Sequence, residues 1–245
     1  MADKGPRIAT AGESTHHVRV AIHQPQYLPW LGYLDKLDRA DVFVLLDTVQ
    51  FKKNEWQNRN RIRTAQGWQY LTVPVLHEFP QRLDSVRINN QADWRRKHAQ
   101  ALETHYGKAP YYGRYAPVFQ ELLARDWERL ALLSEAVLAA LAEAFGIMTP
   151  IVKAGRFEAR EEQTGRIVDL CKAVGADCYL AGAGGRSYMK LEDFQAAGIA
   201  VEFQDFVSPE YPQVYRPFIA GLSAVDLLFN CGGEGFRYVR EARAR

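Results

Sequence analysis

Val18-Arg-Val-Ala-Ile22-His23-Gln24-Pro25-Gln-Tyr27-Leu-Pro29-Trp30-Leu-Gly32-Tyr33-Leu-Asp-Lys-Leu37, followed by Asp41-Val-Phe-Val-Leu-Leu-Asp47, is the stretch on which the fold turns. Val18 to Ile22 is short, β-branched and closed by proline, so it reads as a buried strand ending at His23. Leu31, Leu34 and Leu37 recur at helical spacing, and 41–47 is a second apolar strand. The unit is therefore strand, helix, strand. Its connecting loop carries His, Gln, Pro, Tyr and Trp at a strand's carboxyl end, where open α/β sheets place ligands.

Outward from this unit, Trp68 to Val75 reads as a third strand, with a polar segment between it and the second. Apolar residues at three- and four-residue spacing mark helices in Trp94 to Tyr106, Tyr115 to Leu123 and Trp127 to Phe145. Strand and helix then alternate: Ile151-Val152, a helix from Gln163 to Val174 closed by Gly175, strand Cys178 to Ala181, a short helix Leu191 to Ala197 closed by Gly198, and strand Ile199 to Phe203. The expectation is an α/β fold, Rossmann-like, with a mainly parallel sheet and a helical middle section at about 92–145. Residues 1–17 read as a disordered arm and 18–245 as one domain.

Composition narrows the function classes. A formal net charge of +2 over 245 residues argues against a nucleic-acid partner, which needs clustered cations. No apolar stretch approaches the roughly 20 residues that span a bilayer, and the first residues lack the apolar core of a signal peptide, so a cytoplasmic protein without membrane insertion is expected. The three cysteines lack paired metal or redox spacing. Cys171 and Cys178 read as core residues, and Cys231 is the one thiol in a loop-like setting.

Three clusters could carry chemistry. His23, with Gln24, Tyr27, Trp30 and Tyr33, offers an imidazole able to act as general acid or base, or to stiffen its loop. Gln50, Lys53, Trp56, Asn58, Arg59 and Arg61 bring cations and amides suited to a carboxylate or phosphate. Gly182, Gly184, Arg186 and Tyr188 form a glycine loop after a strand, where backbone amides can approach an anion. No metal-ligand quartet and no serine elbow appear at recognisable spacing. Leu222 to Asn230 reads as a helix with Ser223 as N-cap and Asp226 as a capping carboxylate.

The segments 23–33, 41–47, 50–61, Lys108 to Tyr112, Tyr179 to Gly182, Tyr188 and 222–230 together resemble the WbqC-like protein family of bacteria. Members look like accessory enzymes of surface-polysaccharide and specialised-metabolite gene sets, and the resemblance implies transfer of an acyl or aminoacyl (glycyl-type) group. It supplies no catalytic residues. Pro25 to Tyr33 is also similar to the phosphate-binding histidine element of nucleotidylyltransferases, but tyrosines stand in place of the histidines and the spacing is longer. Three readings follow: an acyl or aminoacyl transferase with His23 as base and the arginines on a phosphate of a nucleotide-sugar substrate or carrier thioester; a ligase or nucleotidylyltransferase-like enzyme using ATP with Mg; or a non-catalytic binding protein. An acyl carrier protein is the macromolecular partner the first reading allows.

Overall fold

A computed structural model describes residues 17–243. The arm expected at 1–17 lies outside the described residues apart from His17, whose Nδ1 lies 2.9 Å from a carboxylate oxygen of Asp177. The chain runs β1 (Arg19–His23), α1 (Leu31–Arg39), β2 (Val42–Leu45), a hairpin of β3 (Arg59–Thr64) and β4 (Gly67–Thr72), then the short pair β5 (Val75–Leu76) and β6 (Arg87–Ile88). Helices α2 (Trp94–Tyr106), α3 (Tyr112–Ala124) and α4 (Leu130–Ala144) fill the middle. The chain then continues through β7 (Ile151–Lys153), α5 (Gln163–Ala173), β8 (Cys178–Ala181), α6 (Leu191–Ala196), β9 (Ala200–Phe203), α7 (Val225–Cys231) and α8 (Arg237–Ala242).

Five parallel strands form the main sheet in the order β7-β2-β1-β8-β9. The Rossmann-like α/β class expected from the sequence is the class found. The strands read as continuous apolar runs because both faces are covered. Val20, Ile22, Val44 and Tyr179 face Ile167, Val168, Leu170 and Cys171 of α5 and Phe194 of α6. Ala21, Phe43, Leu45 and Leu180 face the other way, into a larger core with Leu34 and Leu37 of α1 and the middle helices.

Strand order decides where a ligand can sit. From β1 the chain first builds β2 and β7 on one side, then crosses to lay β8 and β9 on the other. β1 is thus the switch point, and a crevice opens outside the carboxyl ends of β1 and β8.

The strand expected at 68–75 is found at Gly67–Thr72, and the reading of the segment before it as a polar loop is corrected. Gly67–Thr72 pairs antiparallel with Arg59–Thr64, which lies within the supposed polar loop, and the two form a separate sheet. Alternation explains the miss: Asn60, Ile62 and Thr64 are buried while the arginines between them dominate the composition.

Beneath His23, Lys36 of α1 is fully enclosed and gives its ammonium to the Ile22 carbonyl at 3.2 Å. Burial pushes its pKa down to about 7 from 10.5. Since the folded-state value is the lower one, unfolding takes up a proton between these pH values, and this group makes stability rise with pH across that window. The penalty at neutral pH is on the order of a few kcal/mol. Lys36→Met is therefore expected to raise the Tm at pH 7, with the gain shrinking as pH approaches 10.5. Thermal unfolding of both proteins across that range checks it, and a lower Tm for the variant at pH 7 would contradict it.

Candidate functional site

The loop after β1 cannot hold itself. Six residues at 24–29 carry two prolines and a positive φ at Leu28, and among them local backbone bonds are few. The loop is instead fixed from two distant segments. Tyr27 N donates to the Gln57 carbonyl at 3.2 Å, Gln57 Nε2 to Gln24 Oε1 at 2.6 Å, and Asn60 Nδ2 to the Leu28 carbonyl at 2.7 Å. From the C-terminal side, Ala224 N donates to the Pro29 carbonyl and Ser223 N to the Arg61 carbonyl, both at 2.8 Å. Gly32 has to be glycine because a Cβ there would fall inside the Trp30 indole.

These contacts close a cavity of about 630 Å³ at the switch point. His23, Gln24, Gln26 and Trp30 form the wall from β1. Lys52, Glu55 and Trp56 stand at the mouth, with Gln57, Asn60 and Arg61 beside them. Gly184 comes from the loop after β8, and Gly221 from the segment before α7. Gly221 has φ +67, and its carbonyl accepts from Arg61 Nη2 at 2.9 Å.

His23 is neutral. Burial, with the charge of Lys36 second, pushes its pKa down to about 3. Its Nδ1 lies 3.1 Å from the Gln24 carbonyl, an acceptor, so Nδ1 carries the proton and Nε2 presents a lone pair. The ring rests on Tyr33, centroids 4.6 Å apart. Nearby, Gln26 Oε1 and Arg61 Nε are buried with no hydrogen bond among the described residues.

Of the residues singled out by sequence, His23, Gln24, Trp30, Trp56, Arg61 and Gly184 come together around this cavity. Others lie elsewhere. Tyr27 and Tyr33 are buried, Tyr27 with its hydroxyl 2.9 Å from His98 Nδ1, so both support the loop from below. Asn58 is buried and donates to the Val73 carbonyl. Gln50 and Lys53 are exposed, with Gln50 bridging to Arg82, and Arg59 stacks on Tyr70. Residues 183–187 form a 3-10 turn after Gly182, Arg186 lies over Phe203, and Tyr188 is exposed. Sequence reasoning missed Gln26, Lys52, Glu55, Gln57, Asn60 and Gly221. The alternation that makes 59–64 a strand could have marked Asn60; nothing local marks Gly221.

Two sequence readings near the C-terminus are corrected. Helix α7 starts at Val225 behind Ala224, and Ser223 makes only a 3.4 Å contact to the Val225 amide. Asp226 is no capping group: it is fully enclosed, and accepts from Tyr106 OH at 2.9 Å, Tyr211 OH at 2.8 Å and Gln213 Nε2 at 2.7 Å. Tyr106 OH in turn accepts from the Arg63 amide at 2.8 Å, which anchors the hairpin. As for Cys231, it ends α7, and burial pushes its thiol up to about 11, so it is protonated at neutral pH.

The sequence profile of the WbqC-like protein family matches residues 24–238. An uncharacterized protein of Mycobacterium tuberculosis (strain ATCC 25618 / H37Rv) is 34% identical over 232 residues, covering 92% of this chain and 99% of the relative. No solved structure matches. No helix among the described residues is long and apolar enough to cross a membrane.

Removing the Asp226 carboxylate strands three buried donors at once. Asp226→Ala is expected to lose about 2–4 kcal/mol of stability, and Tyr211→Phe about 1–2 kcal/mol, by urea titration. Equal stability of Asp226→Ala and the parent would show that the network carries no load.

Proposed function

Because the chain belongs to the WbqC-like protein family, we propose that it is a biosynthetic group-transfer enzyme that moves an acyl or aminoacyl group onto an amine of a sugar or specialised metabolite. The observation that carries this reading is a neutral imidazole lining a cavity that also holds two cations, Lys52 and Arg61, against one carboxylate, Glu55. A cavity of this size and lining suits a small molecule with an anionic part. Arg61 and Lys52 neutralise a phosphate of the substrate or its carrier, while the Gln24 and Gln26 side chains in the wall beside His23 bring amides to orient it.

In the reaction, the amine nitrogen attacks the carbonyl carbon of a thioester donor. The C–N bond forms and the C–S bond breaks. His23 Nε2 accepts the proton that the nitrogen sheds and returns it to the departing sulfur. A group with a pKa of about 3 is a weak base in the empty site, and a bound phosphate beside it raises its basicity. Binding and catalysis are coupled by that shift.

A ligase reading using ATP with Mg rests on Gly184 at the cavity edge, where a backbone amide could approach a phosphate. Among the described residues no group of three or more His, Cys, Asp or Glu stands where it could hold a cation, so the metal would be carried by the nucleotide phosphates.

Incubation with acyl and aminoacyl thioesters and amino-sugar acceptors, followed by mass spectrometry, should reveal an amide product. His23→Ala should slow turnover by at least about a hundredfold with the fold retained. Because His23 titrates near 3 in the free protein, its contribution to kcat/KM should be flat from about pH 5 to 8. An acid limb near 6.5 that persists in Lys36→Met would sink the assignment.

A further inference from the structure

The hairpin beside the cavity has two unlike faces. Register pairs Arg59, Arg61 and Arg63 with Thr72, Tyr70 and Trp68, so these side chains share one face. The other face is buried. At one end Arg63 is shut in, giving its guanidinium to the Gly67 and Pro217 carbonyls, both at 2.7 Å. The aromatic side chains of this face are open to solvent even so. Trp56, Trp68 and Tyr70 are 39%, 44% and 38% exposed.

These rings and two guanidinium groups form one contiguous cluster. The Arg59 guanidinium carbon lies 4.3 Å from the Tyr70 centroid, and that of Arg61 lies 5.5 Å from Trp56 and 5.1 Å from Trp68. Trp68 and Tyr70 meet edge to face at 5.1 Å. No carboxylate among the described residues forms an ion pair with Arg59 or Arg61. Trp56 and Arg61 also line the cavity, so the platform continues its mouth onto the surface.

We propose that this platform is a nucleobase subsite, and that the molecule entering the cavity is linked to a nucleoside diphosphate. The base stacks on the face of one of Trp68 and Tyr70 and meets the other edge-on, the diphosphate lies against Arg61 and Lys52, and the attached group carries the amine toward His23. Exposed rings with unpaired guanidiniums between them suit a flat base followed by anionic oxygens, because every base offers a π-face and arginine serves both parts. A neutral saccharide would use the rings and leave the charges unmatched. The inference rests on the group-transfer reading of the same cavity and names the carrier of its acceptor.

Tryptophan fluorescence and calorimetry on the full chain, with UDP, GDP, ADP and inorganic pyrophosphate as probes, test it. At least one nucleoside diphosphate should quench fluorescence and bind about tenfold or more tighter than pyrophosphate. Trp68→Ala and Tyr70→Ala should each weaken that nucleotide by about tenfold, leave pyrophosphate within about twofold, and Trp68→Phe should recover most of the loss. Both positions are at the surface, so unchanged Tm values check the fold. Pyrophosphate binding with no gain from the nucleoside would overturn the base subsite alone, whereas failure of every probe would take the cationic-cavity reading down with it. Equal loss of nucleotide and pyrophosphate in Trp68→Ala, or ring-dependent binding of a neutral oligosaccharide or a single-stranded oligonucleotide instead of the mononucleotides, also overturns it.

Discussion

One enclosed carboxylate holds together parts of the chain that are far apart in sequence. Asp226 accepts from Tyr106 of α2 and from Tyr211 and Gln213 of the segment before α7, and Tyr106 passes the connection on to the Arg63 amide of the hairpin. Desolvation raises its pKa and the three donors oppose that rise. A buried charge of this kind is tolerable only when fully hydrogen-bonded, so its geometry is narrow. The hairpin, the middle helices and the C-terminal segment are thereby held in one arrangement, and the cavity wall at Arg61 and Gly221 inherits it.

Against that fixed wall, the β1 side of the site is tuned by burial. His23 sits over Tyr33, and burial first, with the charge of the enclosed Lys36 second, favours its uncharged ring. The cations lie across the cavity at its mouth. On the proposed function, an anionic ligand entering between them would raise the basicity of the imidazole.

The parallel sheet and its helices were legible in sequence because each strand is a short apolar run and each helix keeps a three- to four-residue rhythm. Both signals come from neighbouring residues. The hairpin was obscured because every second position of Arg59 to Thr64 is arginine, and a charged strand looks like a loop until its buried partners are known. Asp226 read as a local cap for a similar reason: its actual partners lie at 106, 211 and 213. In the site, His23, Trp30 and Arg61 were found from residue chemistry and position at strand ends. Tyr27 and Tyr33 were read as binding residues from the same chemistry, yet the loop needs them as its underside.

The backbone bonds that pin residues 27–30 have a consequence for how the protein must fold. Arg61 and Gly221 meet across 160 residues, and the loop between β1 and α1 takes its shape from both of their neighbourhoods. Such closures carry the entropy of long intervening chain, which the packing of both ends has to offset. A fragment ending before α7 could keep the entire His23-Gln24-Pro25 signature and still have no cavity. The cavity is therefore a property of the whole folded chain and not of the signature within it.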